Sequence, residues 1–281
     1  MSNPTADPAT RRLDQTQSAS AAQFDRQSDR YGKTHILADT QDLAAAMSGI
    51  PAPVNASALD VATGGGHTAL WLAQHGWRVT AGDIAPRMLE NARKLWAESK
   101  VSIETRLFPA EEMPFGADTF DLVSSRVAPH HFSSPERFIH ESARVLKPGG
   151  IFLLIDCTVP DHDPDSEEWL HEVEKCRDPS HGRFLSRASW ELIVRDAGLR
   201  VVRSELHLRK QPDLEWYFDT AATPIDNRQQ VLNAIHAASD HVRSALQLSE
   251  EGGKTTWWWP MLTLLGVKIQ ERGEPRRFID R

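Results

Sequence analysis

The sequence predicts an α/β fold, a mainly parallel sheet with helices on both faces, and three observations carry that expectation. From about residue 58, short apolar runs of strand character alternate with segments whose apolar residues recur at helical spacing. Residues 151–155 form a continuous apolar run, which suits a strand covered on both faces. Between the first run and the first helix lies Gly64-Gly65-Gly66, a loop of the kind that closes a strand–turn–helix unit around a nucleotide.

The elements follow in order. Residues 1–20 are rich in Ser, Thr, Ala, Gln and Pro and read as a disordered tail, leaving 21–281 as a single domain. Residues 23–47 are helical in pattern, with Phe24, Tyr31 and Leu37 spaced through them and Gly49-Ile50-Pro51 ending them. Strand 58–62 leads to helix 67–75, and strand 77–81 leads to helix 86–99, which has Pro86 in its first turn. Strands follow at 101–107 and 120–125. Ser134-Pro135-Glu136 is an N-cap signature, and the helix it opens runs to Leu146 before Lys147-Pro148-Gly149-Gly150 stops it. After the strand at 151–155 the rhythm breaks into an acidic insertion, 157–183, with a short helix. Ser186 caps a helix with Trp190, Ile193, Val194 and Ala197 on one face, closed by Gly198. Strand 199–208 comes next. Val231, Ile235, Ala238, Val242 and Ala245 then share a face of one long helix over 227–248. That stripe packs on the body or, as the alternative, forms a homodimer contact. The last strand, 256–269, opens with Trp257-Trp258-Trp259, of which only Trp257 and Trp259 share a face. Segments 21–50, 157–183 and 210–250 read as a cover over the carboxyl ends of the strands.

Composition removes several function classes. The formal charge of −7 argues against a nucleic-acid-binding face, which is normally basic. No apolar run approaches the roughly 18 residues of a membrane span. The N-terminus lacks an apolar signal core, so the expected location is cytoplasmic. Two cysteines, Cys157 and Cys176, are too few for a disulfide framework or a zinc knuckle.

The glycine loop alone leaves two nucleotides open. Gly64 to Ala69 fits the dinucleotide pattern G-x-G-x-x-A, and Asp83 stands about 20 residues on, where a ribose-binding acid belongs. Four further features discriminate. Asp60 lies within the first strand, placed to reach a cationic ligand group. Ala110 to Phe115 (AEEMPF) follows the third strand, Phe120 to Val123 (FDLV) opens the fourth, and Arg144 to Gly150 (RVLKPGG) precedes the fifth.

In this order and spacing the features resemble the class I S-adenosylmethionine (SAM)-dependent methyltransferases, and within them the UbiE-type small-molecule branch with its YcgJ-like members. The resemblance covers roughly residues 20–270. It implies a Rossmann-like seven-stranded sheet with a reversed last strand and SAM over the glycine loop. By that resemblance, Gly64 and Gly66 hold the methionine and ribose portion, Asp60 positions the ammonium group, Asp83 binds the ribose hydroxyls and Ile84 packs on the adenine. Ala110 and Glu111 edge the adenine through the backbone. Tyr31 matches a tyrosine near the SAM carboxylate, and Arg126 at the end of the fourth strand completes the cofactor set. Two departures stand out. Ala62 replaces the first glycine of the family motif, a small change expected to be tolerated within a strand. Pro109 replaces the acid that bonds the adenine amine and supplies neither carboxylate nor N–H.

The expected chemistry is methyl transfer by positioning, with a base needed only if the acceptor loses a proton. His130 and His131, just past the fourth strand, are the candidate proton acceptors. His181, in the string Arg177 to His181 (RDPSH), is a third candidate within the insertion; the alternative is a tight turn. Asp156, Asp161, His162, Asp163, Asp165 and Glu167 read as a solvated, turn-forming run rather than a metal site, and no metal is expected. The expected substrate is a small apolar or aromatic metabolite, with no nucleic-acid or membrane partner. Two rivals stay open: an NAD-dependent oxidoreductase on the same loop, and a non-catalytic SAM-binding protein.

Overall fold

The computed structural model describes residues 13–31, 36–50, 52–211 and 213–269. Helix α1 (Gln15–Gln27) and the short α2 (Gln41–Ala46) precede the sheet. The repeat then runs β1 (Ser57–Val61), α3 (His67–Gln74), β2 (Arg78–Asp83), α4 (Pro86–Glu98), β3 (Glu104–Leu107), β4 (Phe120–Arg126), α5 (Pro135–Val145) and β5 (Leu146–Cys157). After it come α6 (Pro164–Arg177), α7 (Arg187–Asp196) and β6 (Leu199–Lys210). Helices α8 (Leu214–Ala221), α9 (Ile225–Ala237) and α10 (Asp240–Ala245) lead to a small hairpin, β7 (Ser249–Glu251) and β8 (Lys254–Thr256), and to β9 (Trp258–Lys268).

Seven strands form one sheet in the order β3-β2-β1-β4-β5-β9-β6. Neighbours from β3 through β5 are parallel, and β9 runs antiparallel to both β5 and β6. The sheet is thus the α/β, Rossmann-like architecture with a reversed last strand. Every residue of β1 is buried, because helices cover both faces. Ile151, Leu153, Ile155 and Cys157 point into one core with Trp257, Trp259 and Met261, whereas Phe152 and Leu154 point into the other with Leu262 and Leu264. Chain order reverses between β1 and β4, and a crevice opens at the carboxyl ends of the strands on either side of such a reversal.

Three expectations need correction. The tail expected over 1–20 is helical from Gln15 onward: Asp14 caps α1 by accepting from the Gln17 N–H at 2.8 Å, and the Gln17 side chain accepts from the Asp14 N–H at 3.1 Å. Residues 1–12 lie outside the described residues, as do 32–35 of the N-terminal cover, Pro51, Pro212 and 270–281. The long helix expected over 227–248 is two helices, because Ala238 leaves the helical region (ψ 132°) and Ser239 starts α10 by accepting from the Val242 N–H. Its apolar stripe faces inward, with Val231, Ile235 and Val242 buried in the core.

The third correction concerns Ala62. It lies beyond the end of β1, in the turn, with φ 55°, a region in which a Cβ is disfavoured. Exchange for glycine relieves that strain but adds freedom to the unfolded chain. Ala62→Gly is therefore expected to raise unfolding stability by about 0.5 kcal/mol, read as a higher denaturant midpoint at unchanged slope. A clear loss of stability would show that Ala62 is not strained.

Among the described residues, no helix is long and apolar enough to cross a membrane.

Candidate functional site

A cavity of about 840 Å³ opens at the carboxyl ends of β1 and β2. Thr63, Gly64 and Gly65 form its floor, Asp83 closes one side, and Ile84, Met88 and Phe108 supply an apolar wall. Phe24 and Tyr31 from the N-terminal segment lie over it. Gly64 has φ 53°, and a Cβ built there meets nothing within 4 Å, so backbone is presented bare to the cavity. Gly66 serves packing instead: at φ 82° it starts α3, and a Cβ would stand 2.8 Å from Ala92 and 2.7 Å from Trp96 Nε1.

Asp83 holds the loop. One carboxylate oxygen accepts the Gly64 N–H at 2.8 Å and the other accepts the Ala85 N–H at 2.9 Å. The Ile84 N–H also bonds this carboxylate, and the acceptor capacity left over is open to a ligand hydroxyl. Burial pushes the Asp83 carboxyl up to about 6, against the pull of these N–H groups. Asp60 is buried behind the cavity rather than lining it. Its oxygens accept from the Thr63 hydroxyl at 2.6 Å and the Ser124 hydroxyl at 2.8 Å, and burial pushes it up to about 6 as well. Thr63, which the sequence did not single out, is the residue through which Asp60 meets the cavity.

Ala110 and Glu111 line the cavity on the far side. Glu111 gathers the Gln17 side-chain amide at 2.9 Å and the Ser133 N–H at 2.7 Å, tying α1 to the loop after β4. Arg126 also lines the cavity, but its guanidinium is committed. Nε donates to Asp42 at 2.9 Å, and Nη1 and Nη2 donate to the Leu37 and Asp39 carbonyls at 2.9 and 2.6 Å. Arg126 thereby clamps the segment before α2 over the sheet.

A second cavity of about 710 Å³ adjoins the first. Tyr31, Leu37, Val127 and His131 line both and form the partition. Val127 has φ 52°, a genuine outlier for a β-branched residue, and its N–H donates to the Ile155 carbonyl at 2.7 Å. Strain of this sort costs about 1–3 kcal/mol and is concentrated at functional sites.

The three candidate histidines meet here, with ring centroids of His130 4.1 Å from His131 and 5.7 Å from His181. They differ in kind. His130 Nδ1 bonds the fully buried Asp156 at 2.7 Å, and the other Asp156 oxygen accepts the His130 N–H at 2.9 Å. Burial alone would depress His130, but the charge and hydrogen bond of Asp156, with Glu174 and Asp178 behind them, hold it above the ordinary histidine value. With Nδ1–H assigned to the carboxylate, Nε2 carries the lone pair. His131 bonds the Ser180 carbonyl through Nδ1 at 3.1 Å, and burial, then the charge of His130, push it down to about 3. His181 is buried, far below the ordinary value for the same reasons, and its Nε2 has no partner. The insertion docks on the histidine loop: Gly182 and Arg183 both donate N–H groups to the His130 carbonyl, at 2.8 and 3.0 Å. A Cβ at Gly182 would stand 2.7 Å from that carbonyl.

Sequence reasoning singled out the histidines but not their partner, because Asp156 was grouped with a run of acids. That run disperses. Asp161 pairs with Arg187 at 3.0 Å, Asp163 caps α6 and pairs with His241, and only Asp156 turns into the site. Trp259 lines the second cavity, while Trp257 packs edge-on against Tyr217 with centroids 4.4 Å apart.

Comparison with known proteins places this geometry. A family described as "Methyltransferase domain" matches residues 59–154, from β1 through most of β5. The chain is 27% identical to the uncharacterized methyltransferase YcgJ of Bacillus subtilis over 249 residues, 87% of this chain and 97% of that one. The YcgJ crystal structure superposes with a TM-score of 0.76 at 26% identity, covering 83% of this chain and all of that one. A putative methyltransferase from Bacillus halodurans gives 0.77 at 29% identity over 82% of this chain and all of that one. The uncharacterized protein YafE of Escherichia coli is 33% identical over 185 residues, 64% of this chain and 86% of the relative.

Proposed function

This chain belongs to the class I S-adenosylmethionine-dependent methyltransferases, and from that membership we propose that the larger cavity binds SAM and the smaller one a small-molecule methyl acceptor. The observation that carries the proposal is the shared partition: a nucleotide-sized cavity on the glycine loop meets a second cavity across Tyr31, Leu37, Val127 and His131.

The residues present fit the cofactor. Asp83 offers carboxylate lone pairs where a ribose diol belongs, and Ile84, Met88 and Phe108 suit an adenine face. Bare backbone at Gly64 admits close approach, and Phe108 bears on the adenine side that Pro109 leaves without a polar group. When bound, SAM supplies an electrophilic methyl carbon for in-line displacement.

The chain's own residues do the rest. Helix α1 walls the first cavity, and α6 with the RDPSH loop walls the second, which limits water around a displacement at a charged centre. His130, oriented by Asp156, takes the acceptor's proton at Nε2 where the acceptor must lose one. His131 packs edge-on against Phe24 with centroids 4.8 Å apart and shapes the partition as a neutral ring.

Calorimetric titration tests the cofactor assignment against the oxidoreductase reading. SAM and S-adenosylhomocysteine are expected to bind and NAD is not; the reverse order would end the proposal. Turnover on a panel of phenols, quinones, amines and thiols separates an enzyme from a SAM-binding protein that has lost catalysis.

A further inference from the structure

We propose that the methyl acceptor carries a carboxylate, and that Arg209 receives it. This inference rests on the methyltransferase reading and names the substrate class for the same site.

Two guanidinium groups line the second cavity, and they are in opposite situations. Arg177 is committed within the protein. It donates to the Tyr217 carbonyl at 2.9 Å, to Glu174 at 2.8 Å and to the Thr220 hydroxyl at 2.9 Å, and its guanidinium lies 4.3 Å from the centre of the Tyr217 ring. Arg209 is half-buried near the end of β6, directly across the ladder from Trp259. Among the described residues, no carboxylate or carbonyl accepts a hydrogen bond from its guanidinium.

The acids of the cavity do not neutralise it. Glu174 bonds Arg177 and the Tyr217 hydroxyl, and Asp178 accepts from the Ser180 N–H at 2.9 Å and the Ser180 hydroxyl at 2.7 Å. Two residues that line this cavity also carry a buried polar atom without a partner: Nε2 of His181 and the indole Nε1 of Trp259. A partly desolvated cation and an indole N–H, neither with an acceptor, form a site lacking one kind of partner, a group that only accepts. A carboxylate is that group, and its two oxygens match a guanidinium fork. A dianion fits less well, because Glu174, Asp178 and Asp156 already place negative charge around the cavity.

Position fixes the carboxylate's role. Arg209 lines the second cavity and not the first, whereas the partition is built by Val127, His131 and their neighbours. The carboxylate held by Arg209 is therefore an anchor, and the methylated atom is a different one, at the partition.

The test uses full-length protein saturated with S-adenosylhomocysteine. Benzoate, phenylacetate and their ring-hydroxylated forms are titrated calorimetrically, each against its primary amide. The acids are expected to bind at least about tenfold more tightly than the amides, as a charge-assisted contact implies. Arg209→Gln is expected to bring that ratio near one while leaving S-adenosylhomocysteine affinity unchanged, which also reports that the variant folds. Arg209→Lys is expected to keep part of the preference. Amides equal to acids, a preference that survives Arg209→Gln, no carboxylate binding, or phenyl phosphate binding more tightly than every acid would each overturn the inference and leave the cofactor reading intact. Failure of S-adenosylhomocysteine itself to bind would instead overturn the methyltransferase reading beneath it.

Discussion

Asp83→Ala is expected to weaken S-adenosylhomocysteine binding by about tenfold or more, the loss typical of hydrogen bonds to a charged acceptor. Two losses combine. The ribose hydroxyls lose their acceptor, and the Gly64 and Ala85 N–H groups lose the carboxylate that fixes the loop. A pH series separates the carboxylate from a purely steric role. In the free protein Asp83 titrates near 6, above the ordinary 3.8, because burial disfavours its charge. Ligand hydroxyls favour the ionised form, so the bound group titrates lower and binding releases protons. Wild-type affinity therefore falls as pH drops through about 6, and in Asp83→Ala that dependence flattens. The stability sign is opposite to that of a salt-bridged acid. The folded pKa lies above the unfolded one, so this group's contribution is most favourable below 3.8 and is lost as pH rises through about 6. Near neutral pH the variant sheds an unfavourable buried charge, which limits its loss of stability. Unchanged affinity in Asp83→Ala would sink the ribose assignment.

For an acceptor that must be deprotonated, His130→Ala is expected to lower turnover by about 10²–10⁴-fold, the usual worth of a positioned base. S-adenosylhomocysteine affinity should hold within about twofold, because His130 lines only the second cavity. The active form is the neutral imidazole, so turnover rises with pH through the His130 pKa, and Asp156 sets that limb above the ordinary histidine value. Asp156→Asn removes the charge and keeps the shape. It should move the limb to lower pH as well as reduce the maximum rate. If His130→Ala turns over normally, the base assignment is wrong and positioning alone carries the reaction.

The fold was legible because its pattern is local. Apolar runs at 58–62, 120–125 and 151–155 became β1, β4 and the centre of β5 with ends shifted by a few residues. The larger misjudgements share one cause, a backbone decision made by tertiary partners. Lys147-Pro148-Gly149-Gly150 stops α5 but also belongs to β5, because Leu146 pairs with Phe120 across an irregular register. Ala62 looked harmless as a strand residue and lies instead at a left-handed position. The site was legible in its chemistry-bearing residues and not in their pairings. Asp156 lies 26 positions from His130 with no spacing rule to connect them. Arg126 carries the charge of a ligand-binding residue, yet Asp42 and the Leu37 and Asp39 carbonyls consume it. Arg209 is one basic residue among several on an exposed-looking strand, and only the register across from Trp259 brings it to the cavity.

The central claim is that the two cavities are donor and acceptor halves of one methyl-transfer site, and a crystal structure with S-adenosylhomocysteine tests it most directly. The account predicts the ribose hydroxyls on Asp83, the adenine between Ile84 and Phe108, and the sulfur at the Tyr31–Val127–His131 partition facing the second cavity. A ligand whose sulfur points away from that partition, or one seated outside the larger cavity, would contradict it.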